Sequence, residues 1–312
     1  MYTNLDIIAI GEGLVELSSA NSIKYADKFD KYYGGDSLGT AISALRCGSS
    51  AGYITRLGND NFCEYLLEAW SIEGLDTSQV KFTQGQNGLY FVGKNEGKSE
   101  FVFYRRKTAA MNLCIDDIDF NTIKNTKCVY ATGFVQSLSL SVREVVREVF
   151  KFAKENDILV AYDPNYISKV STQEEAREYF EEVAQYCDVV FLNTKNDTPA
   201  LFDTQSPDKV LKIISDKAIN TCIIREHKKG LHIQNNTFNS FIEYKKSDVV
   251  DATGWEAAFN GAFLNYHLKG YDVSKCVKFA NALSILQIKN VGAIKSIPQR
   301  NETERLYNEI YG

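Results

Sequence analysis

The chain has little of what divides or cross-links a protein. Its 312 residues include four prolines, three histidines, two tryptophans and two methionines. There are no Pro-rich linkers, low-complexity tracts or repeats, so one domain over residues 1–312 is expected. No apolar run approaches the ~18 residues that cross a bilayer, and Met1-Tyr2-Thr3-Asn4-Leu5-Asp6 sets no basic stretch before a short apolar one. These absences point to a soluble cytoplasmic protein with no membrane partner. Neither sign of charge dominates: 35 Lys and Arg stand against 40 Asp and Glu, interspersed, for a net charge of −5. A nucleic acid would find no basic surface to neutralise its phosphates.

Seven cysteines (47, 63, 114, 128, 187, 222 and 276) are an odd number without a C-x-x-C pair, and no histidine stands at zinc-ligand spacing from them. They read as reduced thiols, mostly buried, and no metal site is expected. The histidines at 227, 232 and 267 form no set with a nucleophile, which leaves a Ser-His or Cys-His hydrolase unsupported.

What is present is a core. Hydrophobic residues make up 44% of the chain and charged ones 24%, enough for one large folded unit. Short apolar runs at Ile7–Ile10, Ala51–Thr55, Val129–Thr132, Ile158–Asp163, Val189–Leu192 and Cys222–Arg225 read as buried strands. Helical patterns lie between and after them, at Asp36–Cys47, Asn61–Trp70, Ser141–Glu155, Gln173–Tyr186, Gly254–Leu268, Val273–Ile288 and Glu302–Ile310. This alternation predicts an α/β fold, a doubly wound and mostly parallel sheet flanked by helices. Ile23–Tyr33 and Gly88–Tyr104, rich in Tyr, Phe and Val, break it and predict antiparallel strands of a small β lid, drawn from about 12–33 and 86–106.

Two glycine motifs are set aside. Gly11-Glu12-Gly13 has Glu16 where a dinucleotide fingerprint needs its third glycine, and Gly93–Ser99 has one residue too few for a P-loop and lies between β-rich runs. The second reads as a hairpin turn.

Val250-Asp251-Ala252-Thr253-Gly254 runs into an apolar helix. A glycine there suits an anion site of backbone N–H groups, and equally a plain helix start. With it stand Gly34-Gly35-Asp36-Ser37-Leu38 at a helix start, Arg56–Phe62, and Asp163-Pro164-Asn165 at a strand end. In order and spacing these resemble the ribokinase-like (PfkB) carbohydrate kinases over essentially the whole chain. Gly11-Glu12 with Leu14–Leu17, Leu67–Trp70, Gly74–Ser78 and Tyr104-Arg105 with Ala109-Ala110 are similar to the 2-keto-3-deoxygluconate kinases among them. The resemblance implies a sugar or sugar acid as small-molecule partner, held under the lid by Gly34, Gly35, Asp36 and Asp251. Tyr90 and Tyr104 would line its ring face, and Arg105 or Arg106 would pair with a carboxylate, for which a guanidinium offers two parallel hydrogen bonds. Strand packing for the tyrosines and a solvated strand end for the arginines are the plainer readings.

The resemblance also implies ATP and Mg as cofactors if the chain is active, and here the pattern departs. Where the family reads Asp-Thr-x-Gly-Ala-Gly-Asp, with the last Asp as base, this chain has Trp255, Glu256 and Ala257 after Gly254. A methyl group accepts no proton, and a lost base costs roughly 10² to 10⁴ in rate. A carboxylate beside phosphate oxygens at about 4 Å repels by around 4 kcal/mol at an effective dielectric near 20. Further positions on the nucleotide side differ. The Arg after Asp163-Pro164-Asn165 is Ile167, Asn-x-x-Glu is Asn193-Thr194-Lys195-Asn196, and Lys-x-Gly-x-x-Gly is Arg225–Gly230; Gly39 replaces an Asn that contacts sugar. The resemblance thus implies that Asn165, Asn193, Arg225, Gly230 and Gly254 are the remnants of a nucleotide or anion site. Three readings follow: a sugar-acid binder with weak or no phosphotransfer; a working kinase of the 2-keto-3-deoxygluconate or fructose type that uses a water-mediated route or Glu256 as substitute base, although Glu256 lies roughly 100° round the helix from Ala257; or a structural or partner-binding protein with neither pocket functional. A homodimer through the exposed lid strands fits each of them.

Overall fold

Residues 4–95, 98–236, 238–245 and 247–312 are described by the computed structural model. Thirteen strands follow in chain order: β1 (Leu5–Ile10), β2 (Leu14–Ser18), β3 (Asp30–Gly34), β4 (Ala51–Gly58), β5 (Val80–Thr83), β6 (Gly88–Asn95) and β7 (Lys98–Tyr104), then β8 (Thr126–Thr132), β9 (Leu159–Asp163), β10 (Val189–Asn193), β11 (Thr221–Glu226), β12 (Gly230–Asn235) and β13 (Phe238–Glu243). The helices are α1 (Asp36–Arg46), α2 (Phe62–Glu73), α3 (Phe120–Lys124), α4 (Gly133–Gln136), α5 (Leu140–Glu155), α6 (Gln173–Ala184), α7 (Asp197–Phe202), α8 (Pro207–Asp216), α9 (Trp255–Leu268), α10 (Val273–Gln287) and α11 (Arg300–Tyr311).

Nine strands form the main sheet in the order β13-β12-β11-β10-β9-β8-β1-β4-β5. From β11 to β5 every pairing is parallel. A parallel sheet has helices on both faces, so its strands are apolar on both sides. Along β1, Ile7 and Ala9 join the core that includes Ala41 and Ile42 of α1 and Phe259 and Phe263 of α9. Ile8 and Ile10 point the other way, into the core with Val142, Val146 and Val149 of α5 and Phe180 of α6. That alternation fixes the register, because a slip of one residue would exchange the two faces.

Two features correct the sequence expectation. The chain adds an antiparallel hairpin, β12 and β13, to the β11 edge, where no strands were anticipated. In the small sheet, ordered β3-β2-β6-β7, the central pair β2 and β6 is parallel, so the lid is mixed. Ile23–Tyr25 is a short 3₁₀ turn, and only Asp30–Gly34 of that segment is a strand. The expected hairpin at Gly93–Ser99 is present, with Asn95 opposite Lys98 in the antiparallel β6–β7 pair; its residues 96 and 97 lie outside the described ones. Leu14, Tyr90 and Val92 give the lid a small core of its own, against which Phe101 and Phe103 pack. Five of the seven cysteines are buried and all are free thiols. Among the described residues no helix is long and apolar enough to cross a membrane.

Candidate functional site

A cavity of about 470 Å³ opens between the lid and the ends of the main sheet where β9 runs out and α1 and α9 begin. Ligand sites in open α/β sheets form at the carboxyl ends of the strands. The body side is lined by Gly35, Asp36, Asn165 and Gly254–Ala257, and the lid side by Tyr90, Phe101 and Phe103.

Glycine is required where α1 starts. Gly35 has φ 137°, and a Cβ there would stand 2.5 Å from the carbonyl oxygen of Glu12. The carboxylate of the next residue, Asp36, is thereby presented to the cavity and held from three directions. Oδ1 accepts from the Ser37 N–H at 2.6 Å, and Oδ2 accepts from the Thr132 hydroxyl and from Asn165 Nδ2 at 3.0 Å. Asn165 has φ 42°, a left-handed conformation that Asn tolerates. Its own N–H donates to Asp163 Oδ1 at 3.0 Å.

At the start of α9, Gly254 has φ 77°, and a Cβ on it would lie 2.8 Å from the Ala293 carbonyl oxygen. Asp251 sets this turn. One of its oxygens accepts from the Thr253 N–H at 3.1 Å and hydroxyl at 2.7 Å, the other from the Gly292 N–H at 3.2 Å. In the first turn of α9, Ala257 faces α1, where a Cβ on Gly39 would meet the Ala257 methyl at 3.1 Å. The two positions at which the resemblance implies Asn and Asp are thus neighbours, and both are small.

Beside them lies a buried polar network. Arg225, with a side chain 1% exposed, sits 3.4 Å from Asp163 Oδ2 and 4.0 Å from Glu256 Oε1, and also donates to Asn260 Oδ1. Asn260 in turn donates to Asp163 at 2.7 Å and to the Tyr130 hydroxyl at 3.0 Å. Burial pushes the carboxyls of Asp163 and Glu256 up, and Arg225 opposes the rise in both. Trp255 caps the network, its ring 5.7 Å from the guanidinium and edge-on to Tyr244.

The structure brings Gly35, Asp36, Tyr90, Asn165, Gly254, Glu256 and Ala257 to one cavity and sets the other candidates elsewhere. Tyr104 is 60% exposed on the outer side of the lid, because its cross-strand partner is Leu89; Tyr90 is opposite Phe103, so Phe103 shares its face. Arg105 turns inward instead of toward a ligand. Its guanidinium donates to Glu12 Oε1 at 2.6 Å, to the Ser137 hydroxyl at 2.8 Å and to the Phe134 carbonyl at 2.8 Å, and lies 3.7 Å from the Phe134 ring centre. Arg106 is exposed outside the cavity lining. Gly34 lies beneath Tyr90, whose hydroxyl would be 2.2 Å from an added Cβ, and Asp251 engages one oxygen with Thr253 in its own turn and the other with the Gly292 N–H. Gly230 is a packing residue, for a Cβ there would strike the Ile242 carbonyl at 2.3 Å and the Phe241 ring. Asn193 ends β10 and accepts from the Asn196 N–H at 2.7 Å. Phe101, Phe103 and Lys169, which carry no motif, also line the cavity, as does Asn196, which stands where the resemblance implies Glu; alternation along β7 from Tyr90's partner is the signal for the first two.

On the side where the resemblance implies a nucleoside triphosphate with its cation, the charges are differently arranged. Arg225 is enclosed by Asp163, Asn260 and Glu256, Gly230 is covered, and a carboxylate stands at the first turn of α9. Among the described residues no three His, Cys, Asp or Glu side chains are grouped to hold a metal.

Comparison with known proteins places this geometry. The chain is 26% identical over 312 residues, 98% of its own length and 95% of the relative's, to a 2-dehydro-3-deoxygluconokinase of Thermoproteus tenax. The crystal structure of a 2-dehydro-3-deoxygluconokinase from Thermotoga maritima superposes with a TM-score of 0.89 at 22% identity, covering 98% of this chain and 99% of that one. A putative ribokinase II from E. coli, solved in complex with ATP and Mg, does so with a TM-score of 0.90 at 20% identity over 98% and 99% of the two chains. The pattern that defines the pfkB family carbohydrate kinases matches residues 2–300, so cavity, lid and the altered α9 turn all fall inside it, and the chain belongs to that family.

Proposed function

We propose that this protein binds a sugar acid in the cavity under its lid and transfers phosphate from ATP weakly or not at all, acting as a sensor or a partner subunit. The observation that carries this reading is the contact between Gly39 and Ala257. At the point of the family fold where a base belongs, a methyl group faces a glycine, and the loss is roughly 10² to 10⁴ in rate. The enclosure of Arg225 supports it, since phosphoryl transfer rests on positioned charge. The sugar-acid class is taken from the 2-dehydro-3-deoxygluconokinase relatives, and the aromatic lid face of Tyr90, Phe101 and Phe103 suits the apolar face of a sugar.

One observation favours the alternative, an active kinase using ATP and Mg. Glu256 lines the cavity with its side chain 30% exposed, and desolvation raises its carboxyl, with Arg225 opposing the rise. The test is ATP consumption with a panel of sugar acids, beside calorimetric titration of ATP and of 2-keto-3-deoxygluconate, with Ala257→Asp as comparison. Sugar-acid binding with no turnover is the expected result. Turnover by the unmodified protein above about 0.1 per second, near ordinary kinase rates of 1 to 100 per second, overturns it and makes Glu256→Gln the next variant.

A further inference from the structure

We propose that Lys169 is the residue that selects an acid over a neutral sugar in this cavity, by holding the carboxylate at the lid-side mouth. The inference rests on the sugar-acid reading above and adds the residue that enforces it. Among the described residues lining the cavity, three carry a full charge: Asp36, Glu256 and Lys169. Two of these are carboxylates on the body side, one engaged by Ser37, Thr132 and Asn165, the other facing Arg225. An anionic ligand is repelled from both and meets one cation, whose acidic neighbour, Glu100 of β7, is engaged by Ser22 and the Ile23 N–H. The arginines that could have served are withdrawn, Arg105 into its pair with Glu12 and Arg225 into the interior.

Lys169 is positioned for the task. It ends the cavity-lining run Asn165–Lys169 that follows β9, and its Nζ donates to the Phe101 carbonyl oxygen of lid strand β7 at 3.3 Å. An ammonium has three N–H donors, so this bond leaves two for a carboxylate without releasing the lid. The ligand is thereby oriented. Its acid end lies at the lid, its hydroxyls reach Asp36 and Asn165, and its remaining carbons meet the apolar floor of Gly39, Ala257 and Ile294, where a deoxy position forfeits no hydrogen bond.

The experiment is calorimetric titration of the full chain with 2-keto-3-deoxygluconate and with fructose, for the parent, Lys169→Met and Lys169→Arg. Methionine retains an unbranched apolar stem, and Lys169 is exposed, so matching thermal melts establish that the fold is intact. Removing one charge-assisted contact is expected to weaken acid binding about tenfold or more. Fructose affinity should move less than about twofold, and arginine should retain acid binding within about threefold. Added salt should weaken acid binding by the parent and leave the methionine variant nearly indifferent. Undiminished acid affinity in Lys169→Met, beside measurable binding by the parent, overturns the role of Lys169 and leaves the sugar-acid reading standing. A parent that binds fructose alone, or neither ligand, overturns that reading and this inference together.

Discussion

Arg105 ties the last lid strand to the body, and replacing it with alanine has an effect that can be worked out from its surroundings. Its partner Glu12 is fully buried, with Oε1 on the guanidinium and no hydrogen-bond donor at Oε2. Removing one member of such a pair costs about 3 to 5 kcal/mol, because a charge is left without its counter-charge. Glu12 escapes part of this by taking up a proton. Burial already raises its carboxyl above the ordinary 4.5, with Arg105 as the chief opposing influence, and without the arginine it rises further. An acid whose folded-state pKa is raised holds its proton better folded than unfolded, so stability is greatest below about pH 4.5 and falls as pH rises, by about 1.4 kcal/mol per pH unit. Between pH 5 and pH 7 the deficit of Arg105→Ala relative to the parent should therefore grow. Urea denaturation followed by circular dichroism at the two pH values measures it. A deficit below about 1 kcal/mol at pH 7, or one equal at both values, refutes the buried-pair account and returns Arg105 to the list of ligand contacts. The double variant Glu12→Gln, Arg105→Met should recover much of the loss.

Three further outcomes are expected. Glu16 is buried and accepts from the Tyr90 hydroxyl, and burial raises its carboxyl to about 7; the parent should lose about 3 kcal/mol of stability as pH climbs from 4.5 through 7, while Glu16→Gln flattens that dependence in denaturant titrations at pH 5 and 8. Gly35→Ala places a methyl group 2.5 Å from the Glu12 carbonyl oxygen at φ 137°, and calorimetric melting should show a loss of about 2 kcal/mol or more. We propose pairing of two chains through the outer lid face, where Tyr104 is 60% and Val102 39% exposed. Sedimentation should then give a dimer for the parent and a monomer for Tyr104→Glu, and a monomeric parent ends the idea.

The frame of the molecule is written locally. Branched apolar runs of four to six residues mark the strands, and each of the six from Ile7–Ile10 to Cys222–Arg225 lies in the main sheet. Pairing between distant segments is not written that way. Nothing in Leu14–Ser18 and Gly88–Asn95 taken singly announces that they run parallel, and the alternation in Phe238–Glu243 gains meaning only once β12 supplies a neighbour. At the site, Asp36, Asn165 and the Gly254–Ala257 turn were legible because backbone geometry leaves a mark in Gly, Asp and Asn. Arg105 and Asp251 read as ligand contacts in the sequence for one reason: a charged residue near a cavity and a charged residue buried against its own backbone look alike until the counter-charge or the N–H donors are placed. Lys169, an exposed lysine in a loop, carries no mark at all.

A carboxylate can accept about four hydrogen bonds, and Asp36 already accepts three, from Ser37, Thr132 and Asn165. One lone pair is left, and its direction is fixed by three partners on separate segments of the chain. Were the proposed sugar held at Asp36, that residue would take a single hydroxyl from one direction and so read handedness: two epimers that differ at the carbon bearing that hydroxyl present the same atoms and the same charge, and only one of them would reach.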